Sequence, residues 1–172
     1  MKLTNAIKSA VPVAVLGFLA LGLTSTPAAA TTTNTTTFTV SATVQASCSI
    51  TGTNLGFGNY TGAVATATST ITVTCNAAST PYNIGLNPGA HGTGPYARNM
   101  ANGANLLSYG LFQNATWTTN WGTTVNTDTE AGTSSATAMT GTSVTIYGQI
   151  PANQVVAPLG VYNDTITASI TY

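Results

Sequence analysis

Residues 37–44 are the most constraining segment of this chain. They read Thr-Phe-Thr-Val-Ser-Ala-Thr-Val, so that Phe38, Val40, Ala42 and Val44 alternate with hydroxyl-bearing residues. This period of two predicts a β-strand with one apolar face. An apolar strand at an exposed terminus offers unpaired backbone groups and bare side chains to other sheets. We therefore expect a second molecule to receive this strand.

The segment ahead of it has the pattern of an export signal. Lys2 and Lys8 form a basic start, residues 10–23 are apolar, and residues 28–30 read Ala-Ala-Ala. This order predicts cleavage before Thr31. The alternative is a retained membrane anchor, but the apolar run is shorter than the ~20 residues that a spanning helix needs. No stable membrane insertion is expected after cleavage.

The predicted organisation has three parts. Residues 1–30 are the signal peptide, residues 31–45 are a leader that carries the alternating strand, and residues 46–172 are one domain. The length left after cleavage fits a single core.

Charged residues are very sparse. After cleavage, Arg98 is the one remaining lysine or arginine, against Asp128, Glu130 and Asp164, which gives a net charge of −2. Without a basic patch, nucleic acid is excluded as an expected partner, and so is binding to anionic lipid by charge. A nearly neutral surface gives little repulsion between copies, which favours packing many of them together.

Two cysteines remain, Cys48 and Cys75, each in a strand-like segment. An even number of cysteines in an exported chain predicts a disulfide. A zinc site is the alternative, and it lacks ligands because only His91 could join the two thiolates. No cofactor or metal is expected.

The rest of the chain reads as short strands separated by turns, which predicts an all-β antiparallel sandwich. The weakly patterned residues 87–105 and 122–142 are predicted to be long surface loops. The last strand repeats the alternation of residues 37–44, and we expect it to lie in the interior of a sheet. The predicted strands are 37–50, 69–75, 81–86, 106–113, 143–150 and 163–172.

Residues that could carry catalysis are few. A Ser-His-Asp triad would have to use His91, and the sequence does not supply its geometry. Asp128 and Glu130 could form a carboxylate pair for glycoside hydrolysis, but an exposed acidic loop is the favoured interpretation. The chain is therefore not predicted to be an enzyme.

The two tryptophans, Trp117 and Trp121, give a second alternative. Aromatic rings near asparagine and threonine can stack on sugars, which would make the domain a carbohydrate-binding module. The favoured interpretation is that one ring fills the core and the other caps a loop.

An ordered set of motifs resembles the spore coat protein U domain family, which includes the pilin subunits of archaic, Csu-type chaperone–usher pili. The resemblance extends from about residue 37 to the C-terminus. The motifs are Thr-Val-Thr-Cys at 72–75, Tyr-Asn-Ile-Gly-Leu at 82–86, Arg-Asn-Met at 98–100, Leu-Ser-Tyr-Gly-Leu-Phe at 107–112, Ile-Tyr-Gly-Gln-Ile-Pro-Ala-Asn-Gln at 146–154 and Gly-Val-Tyr-Asn-Asp-Thr at 160–165.

The resemblance implies an incomplete immunoglobulin-like antiparallel β-sandwich that a donor strand from another subunit completes. Cys48 and Cys75 match the two cysteines of the family. The donor strand falls on the apolar row of the leader, namely Phe38, Val40, Ala42 and Val44.

The partners that the resemblance implies are other copies or related pilin subunits in a head-to-tail polymer, a periplasmic chaperone and an outer-membrane usher. The expected function is a structural fimbrial subunit, exported through the periplasm to a surface fimbrium that supports adhesion and biofilm formation. A secreted spore-coat-type structural protein with the same fold and no usher is the main alternative.

Overall fold

The computed structural model describes residues 30–154 and 159–172. Within them the secondary structure is all β, and every strand pairing is antiparallel. The strands are β1 (Cys48–Gly52), β2 (Ala65–Cys75), β3 (Pro81–Leu86), β4 (Arg98–Asn102), β5 (Asn105–Phe112), β6 (Glu130–Thr133), β7 (Thr142–Ile150) and β8 (Ala168–Thr171). Apart from Ala30, the predicted signal peptide lies outside the described residues.

The strands form two sheets. One has five strands in the order β1-β2-β7-β5-β4, and the other has three in the order β6-β3-β8. The predicted antiparallel sandwich is therefore confirmed, and within the described residues β1 and β8 each have a ladder partner on one side only.

The core lies between the two sheets and follows from alternation along the strands. On β2, Ile71, Val73 and Cys75 are buried while the residues between them are half-buried, as the period of two requires. β5 and β7 repeat the pattern, and β3 contributes from the opposite sheet. The other buried hydrophobic residues of the core are Tyr82, Ile84, Leu86, Leu107, Tyr109, Leu111, Trp121, Ile146 and Ile150.

The predicted disulfide is present. Cys48 and Cys75 are directly opposite each other in the β1–β2 ladder, with Cα atoms 4.0 Å apart and sulfur atoms bonded. The bond closes a loop across a separation of 27 residues. It therefore fastens an edge strand, β1, to the interior of the five-stranded sheet.

The first predicted strand is wrong over most of its length. Residues 37–47 have no strand pairing, and the strand begins only at Cys48. The chain divides into two units at residue 41; in the first unit, residues 30–41 are exposed and without strand. A strand needs a partner for its backbone groups, and the sequence pattern cannot say whether that partner is in the same chain.

Both predicted long loops contain a strand. β4 lies within residues 87–105 and pairs with β5, and β6 lies within residues 122–142 and pairs with β3. Both are edge strands with only one neighbour. Their polar and glycine-rich sequences are not typical of strands, so the sequence did not predict them.

The last strand is shorter than predicted and is an edge strand, not an interior one. β8 pairs with β3 alone, from Ala168 opposite Leu86 to Thr171 opposite Asn83. Upstream, Asn163 forms a bridge to Ala101 of β4. Residues 163–168 therefore cross from the five-stranded sheet to the three-stranded sheet.

Replacing Cys48 and Cys75 together by Ser should lower the free energy of unfolding by about 3–4 kcal/mol, since the open loop restores entropy to the unfolded chain. Urea denaturation at low protein concentration measures the loss. Wild-type protein treated with a reductant is the control and should show a similar loss. An unchanged urea midpoint would contradict the assigned role of the disulfide.

Candidate functional site

Within the described residues, the outer edge of β1 has no strand partner. Asn76 N–H donates to Ser47 O at 2.9 Å and Thr53 N–H donates to Thr70 O at 3.0 Å, which fixes the hydrogen-bonded positions of the β1–β2 ladder. Because these positions alternate in an antiparallel pair, the N–H and C=O groups of Cys48, Ile50 and Gly52 turn away from β2.

The outer edge of β8 likewise has no strand partner among residues 30–154 and 159–172. Asn87 N–H donates to Thr167 O at 3.0 Å, so the ladder with β3 uses Thr167 and every second residue after it. The backbone groups of Ile166, Ala168 and Ile170 therefore turn away from β3. Their side chains are half-buried against the core, so this edge has inward-facing apolar side chains and an open backbone.

An open groove of about 640 Å³ lies where these two edges face each other. The groove lies directly over the core, because Ile71, Leu86 and Leu111 belong both to the core and to the groove lining. Its apolar lining residues come from both sheets and include Ile50, Leu55, Ile71, Leu86, Leu111, Ile146, Ile166 and Ala168.

A second cleft of about 460 Å³ continues the groove, since the two share Leu55, Phe57, Met100, Tyr162 and Asn163 in their walls. The far end of this cleft is lined by Tyr60, Leu107, Ile150, Leu159 and Val161. Leu159 and Val161 are 95% and 74% exposed. An apolar surface thus continues from the gap between β1 and β8 to Leu159 and Val161, which precede β8 in the chain.

The segment after β1 forms one wall of both clefts. Leu55 and Phe57 lie over Gly148 of β7, where an added Cβ would be 2.9 Å from each side chain. Phe57 also contacts the ring of Tyr109 edge-on, with ring centroids 6.2 Å apart. Because Gly148, the glycine of the Ile-Tyr-Gly-Gln motif, has no side chain, Leu55 and Phe57 can pack directly on β7.

A buried carboxylate fixes the start of the crossing segment. Asp164, whose side chain is 3% exposed, accepts hydrogen bonds from the Tyr109 hydroxyl at 2.6 Å and from Ala90 N–H at 2.8 Å. His91 Nδ1 lies 3.3 Å from the same carboxylate. Gly89, at φ +85°, leaves space that a Cβ would take from Asp164. Burial of Tyr109, and secondly its hydrogen bond to Asp164, raise the pKa of Tyr109 above its ordinary value.

A buried arginine fixes the opposite wall. Arg98 of β4 is 1% exposed, and its guanidinium donates to four backbone carbonyls: Asn87, Pro95, Leu86 and Trp121. Burial lowers its pKa, yet an arginine side chain stays charged. Arg98 therefore joins the five-stranded sheet to the end of β3 beside the groove.

The predicted donor residues lie outside any strand. Phe38, Val40 and Val44 are 84%, 83% and 89% exposed, and Ala42 is exposed too. Large apolar side chains at such exposure in a row are unfavourable in water. Their role as a donor strand stays a prediction.

The two tryptophans of the carbohydrate-binding alternative lie as the favoured interpretation expected, one in the core and one in a loop. Trp121 is fully buried, with its indole N–H donating to Ile84 O at 2.7 Å, so it cannot stack on a sugar as the carbohydrate-binding alternative required. Trp117 is half-buried in the 113–119 loop, and its indole N–H has no partner in the described part of the chain.

The expected exposed acidic loop is wrong. Asp128 is 7% exposed and accepts hydrogen bonds from the Tyr96 hydroxyl and from Thr124 N–H, while Glu130 is half-buried on β6. Asp128 has a structural task because it closes the turn at residues 124–128. The hydrogen-bond partner of the His91 ring is Asp164.

Sequence reasoning missed several residues that shape the groove. Besides Tyr109 and Asp164, Gln154 pairs through its side chain with both backbone groups of Ser108 on β5 at 2.8 Å. All three lie in the motif blocks that carried the family resemblance. The motifs therefore marked these three positions, but they did not indicate which residues contact one another.

Within residues 30–154 and 159–172, no helix has the length and hydrophobicity that crossing a membrane requires. In the same residues, no group of three histidine, cysteine or carboxylate side chains is placed so that it could hold a metal ion.

Comparison with known proteins gives a family and solved structures of similar fold. The family model for the Spore Coat Protein U domain matches residues 34–169. No curated protein matches the sequence. A chain in the crystal structure of the CsuC–CsuE chaperone–tip adhesion subunit pre-assembly complex, from archaic chaperone–usher Csu pili of Acinetobacter baumannii, is similar at 24% identity with a TM-score of 0.56. The match covers 76% of this chain and 40% of that one, and it supports the incomplete immunoglobulin-like fold.

Replacing Tyr109 by Phe should lower the free energy of unfolding by about 1.5–3 kcal/mol, because the buried Asp164 carboxylate loses a donor. Chemical denaturation measures the change. The matched control is Tyr147→Phe, since the Tyr147 hydroxyl makes no hydrogen bond to the described residues. Equal effects of the two substitutions would show that Tyr109 does not act through Asp164.

Proposed function

Because this chain belongs to the spore coat protein U domain family, we propose that it is a structural pilus subunit whose open groove receives the leader strand of another copy. The observation that carries the proposal is the groove of about 640 Å³ between the two unpaired edges of β1 and β8. The family match begins at residue 34 and so includes the alternating segment of the leader.

The groove and the leader have complementary needs. The groove offers apolar walls and two rows of unpaired backbone groups, and the leader offers an exposed apolar row with its own backbone unpaired. Strand addition satisfies both sets of groups, with main-chain hydrogen bonds giving strength and alternate side chains giving specificity. A slip of one residue would turn the apolar row outward, so the alternation also sets the register.

The gain from burial favours assembly. Phe38, Val40 and Val44 contribute roughly 1.5–3 kcal/mol each when buried, with less from Ala42. The gross gain is on the order of 5–10 kcal/mol before the cost of ordering the leader.

Insertion requires the two edges to separate. Some Cα atoms of β1 and β8 are now within 8 Å of each other, whereas two strands with a third between them are about 9–10 Å apart. The empty groove is therefore narrower than the filled one. A chaperone that lends a strand before assembly would hold the groove open, and the solved complex of similar fold contains a chaperone and a pilus subunit.

Head-to-tail donation does not close on itself, so it builds a filament. In the proposal, residues 1–30 are removed on export, residues 31–45 act as leader and residues 46–172 form the accepting domain. The chain passes through the periplasm, meets a chaperone and an outer-membrane usher, and becomes part of a surface fimbrium for adhesion and biofilm formation. Its role is structural, not enzymatic.

A secreted spore-coat-type protein is the second candidate, because the family name covers such proteins. It would use the same strand exchange without an usher. A gene for an usher beside the gene of this chain would favour the pilus, and its absence would favour the coat.

A charge placed on the apolar row should block assembly. Val40→Asp should reduce filament formation at least a hundredfold, since a carboxylate would be buried without a partner. Thr39→Asp is the matched control: it adds the same charge on the opposite face of the strand and should assemble nearly normally.

The measurement is negative-stain microscopy of surface filaments, together with co-purification of the subunit with its chaperone. Both variants should still be captured by the chaperone, because the accepting groove is unchanged. The donor assignment fails if Val40→Asp assembles as well as Thr39→Asp, or if a chain lacking residues 31–44 still polymerises.

A further inference from the structure

Asn76, the first residue after β2, binds the chain just ahead of β1 with three hydrogen bonds. Its side-chain Oδ1 accepts from Ser47 N–H at 2.8 Å, and its Nδ2 donates to Gln45 O at 2.9 Å. Its backbone N–H donates to Ser47 O at 2.9 Å. Residues 45–47 are thus held although they belong to no strand.

These contacts continue the β1–β2 ladder beyond its end. Ser47 would be opposite Asn76 in the register that places Cys48 opposite Cys75. The side chain of Asn76 supplies the acceptor for Ser47 N–H and reaches two residues further along the chain, to Gln45 O. We call Asn76 and its three hydrogen bonds to residues 45–47 the clamp. The adjacent disulfide fixes Cys48 to Cys75, so the clamp is positioned before any partner arrives.

The clamp acts where the chain would have to turn in order to fill its own groove. A hairpin with residues 45–47 as its loop would pair Val44 with Cys48 and Ala42 with Ile50. Three-residue hairpin loops are common. Residues directly opposite each other share a face, so the apolar row of the leader would lie on the same side as Ile50, which faces the core. The register therefore permits self-insertion.

Self-insertion would also have a kinetic and mass-action advantage. A segment tethered by a short linker has an effective concentration in the millimolar range at its own site. A second copy rarely reaches that concentration. Without an opposing device, a leader of this pattern would cap its own groove and end assembly.

We propose that Asn76 is a positioning residue that holds residues 45–47 along β2 and so keeps the leader available for another copy. This inference rests on the proposed function. A turn within residues 45–47 would break the bonds to Gln45 and Ser47, which the extended chain retains. The clamp therefore favours donation between copies over insertion within one copy.

The test compares wild type with Asn76→Ala and Asn76→Asp. The alanine variant loses both side-chain bonds, whereas the aspartate variant keeps an acceptor for Ser47 N–H and loses the donor to Gln45. Asn105→Ala is the control, because it also removes a side-chain-to-backbone bond, to Asn102 O, but at the β4–β5 turn. All four proteins are refolded without chaperone and kept dilute enough to be monomeric.

The readout is amide hydrogen exchange of residues 38–44 in the monomer. Losing two hydrogen bonds should raise the ratio of folded-back to extended monomer by roughly tenfold to a hundredfold. Exchange of these amides should slow in Asn76→Ala, slow less in Asn76→Asp, and stay fast in wild type and Asn105→Ala. On concentration, Asn76→Ala should also form oligomers more slowly than wild type.

Two results would overturn the role of Asn76. One is equally fast exchange of the leader in Asn76→Ala and wild type; the other is a leader already protected in the wild-type monomer. The proposed function has a separate failure: wild type with an unprotected leader that forms no oligomers on concentration, with or without a chaperone and usher. Exchange in the monomer still decides the role of Asn76 in that case.

Discussion

A β-sandwich needs its sheet edges closed or covered, because an open edge leaves backbone groups unpaired and a core within reach of water. This chain leaves two such edges facing one groove, at β1 and β8. The rest of the structure depends on that gap. The disulfide holds β1 to the five-stranded sheet, and the Arg98 and Asp164 networks hold the walls on the other side. The gap is thus a built part of the fold, with hydrogen-bonded and disulfide-linked elements around it.

The supports are polar and buried, in a chain that has almost no charge elsewhere. Arg98 donates hydrogen bonds to four backbone carbonyls, and Asp164 accepts hydrogen bonds from Tyr109 and from a backbone amide. Networks of this kind specify one arrangement when every member is satisfied. They explain how a domain that lacks a strand keeps its groove in a defined shape, and why the few ionisable residues of the domain are concentrated inside it.

The sequence was sufficient for the fold class, the disulfide and the family. Alternation at residues 69–75 and 143–150 is visible without a structure, and two cysteines in an exported chain have few options. The strands β4 and β6 were missed because edge strands of polar and small residues lack the alternation on which such predictions rest. Residues 37–44 have the alternation but form no strand. The pattern indicates that a segment can pair, but it does not indicate which segment it pairs with. The contacts of Asp164 and Arg98 join residues distant in sequence, so no local pattern could give them.

The central claim is that a single copy is incomplete and that the leader sequence completes it. The most direct measurement is the thermal unfolding of the dilute, chaperone-free monomer with and without a synthetic peptide of residues 36–46. The account predicts a weakly stable monomer whose unfolding temperature rises with peptide concentration, as binding to the folded state requires, while a peptide with the apolar row scrambled has no effect. A monomer that is already as stable as a complete sandwich and does not respond to the peptide would contradict it.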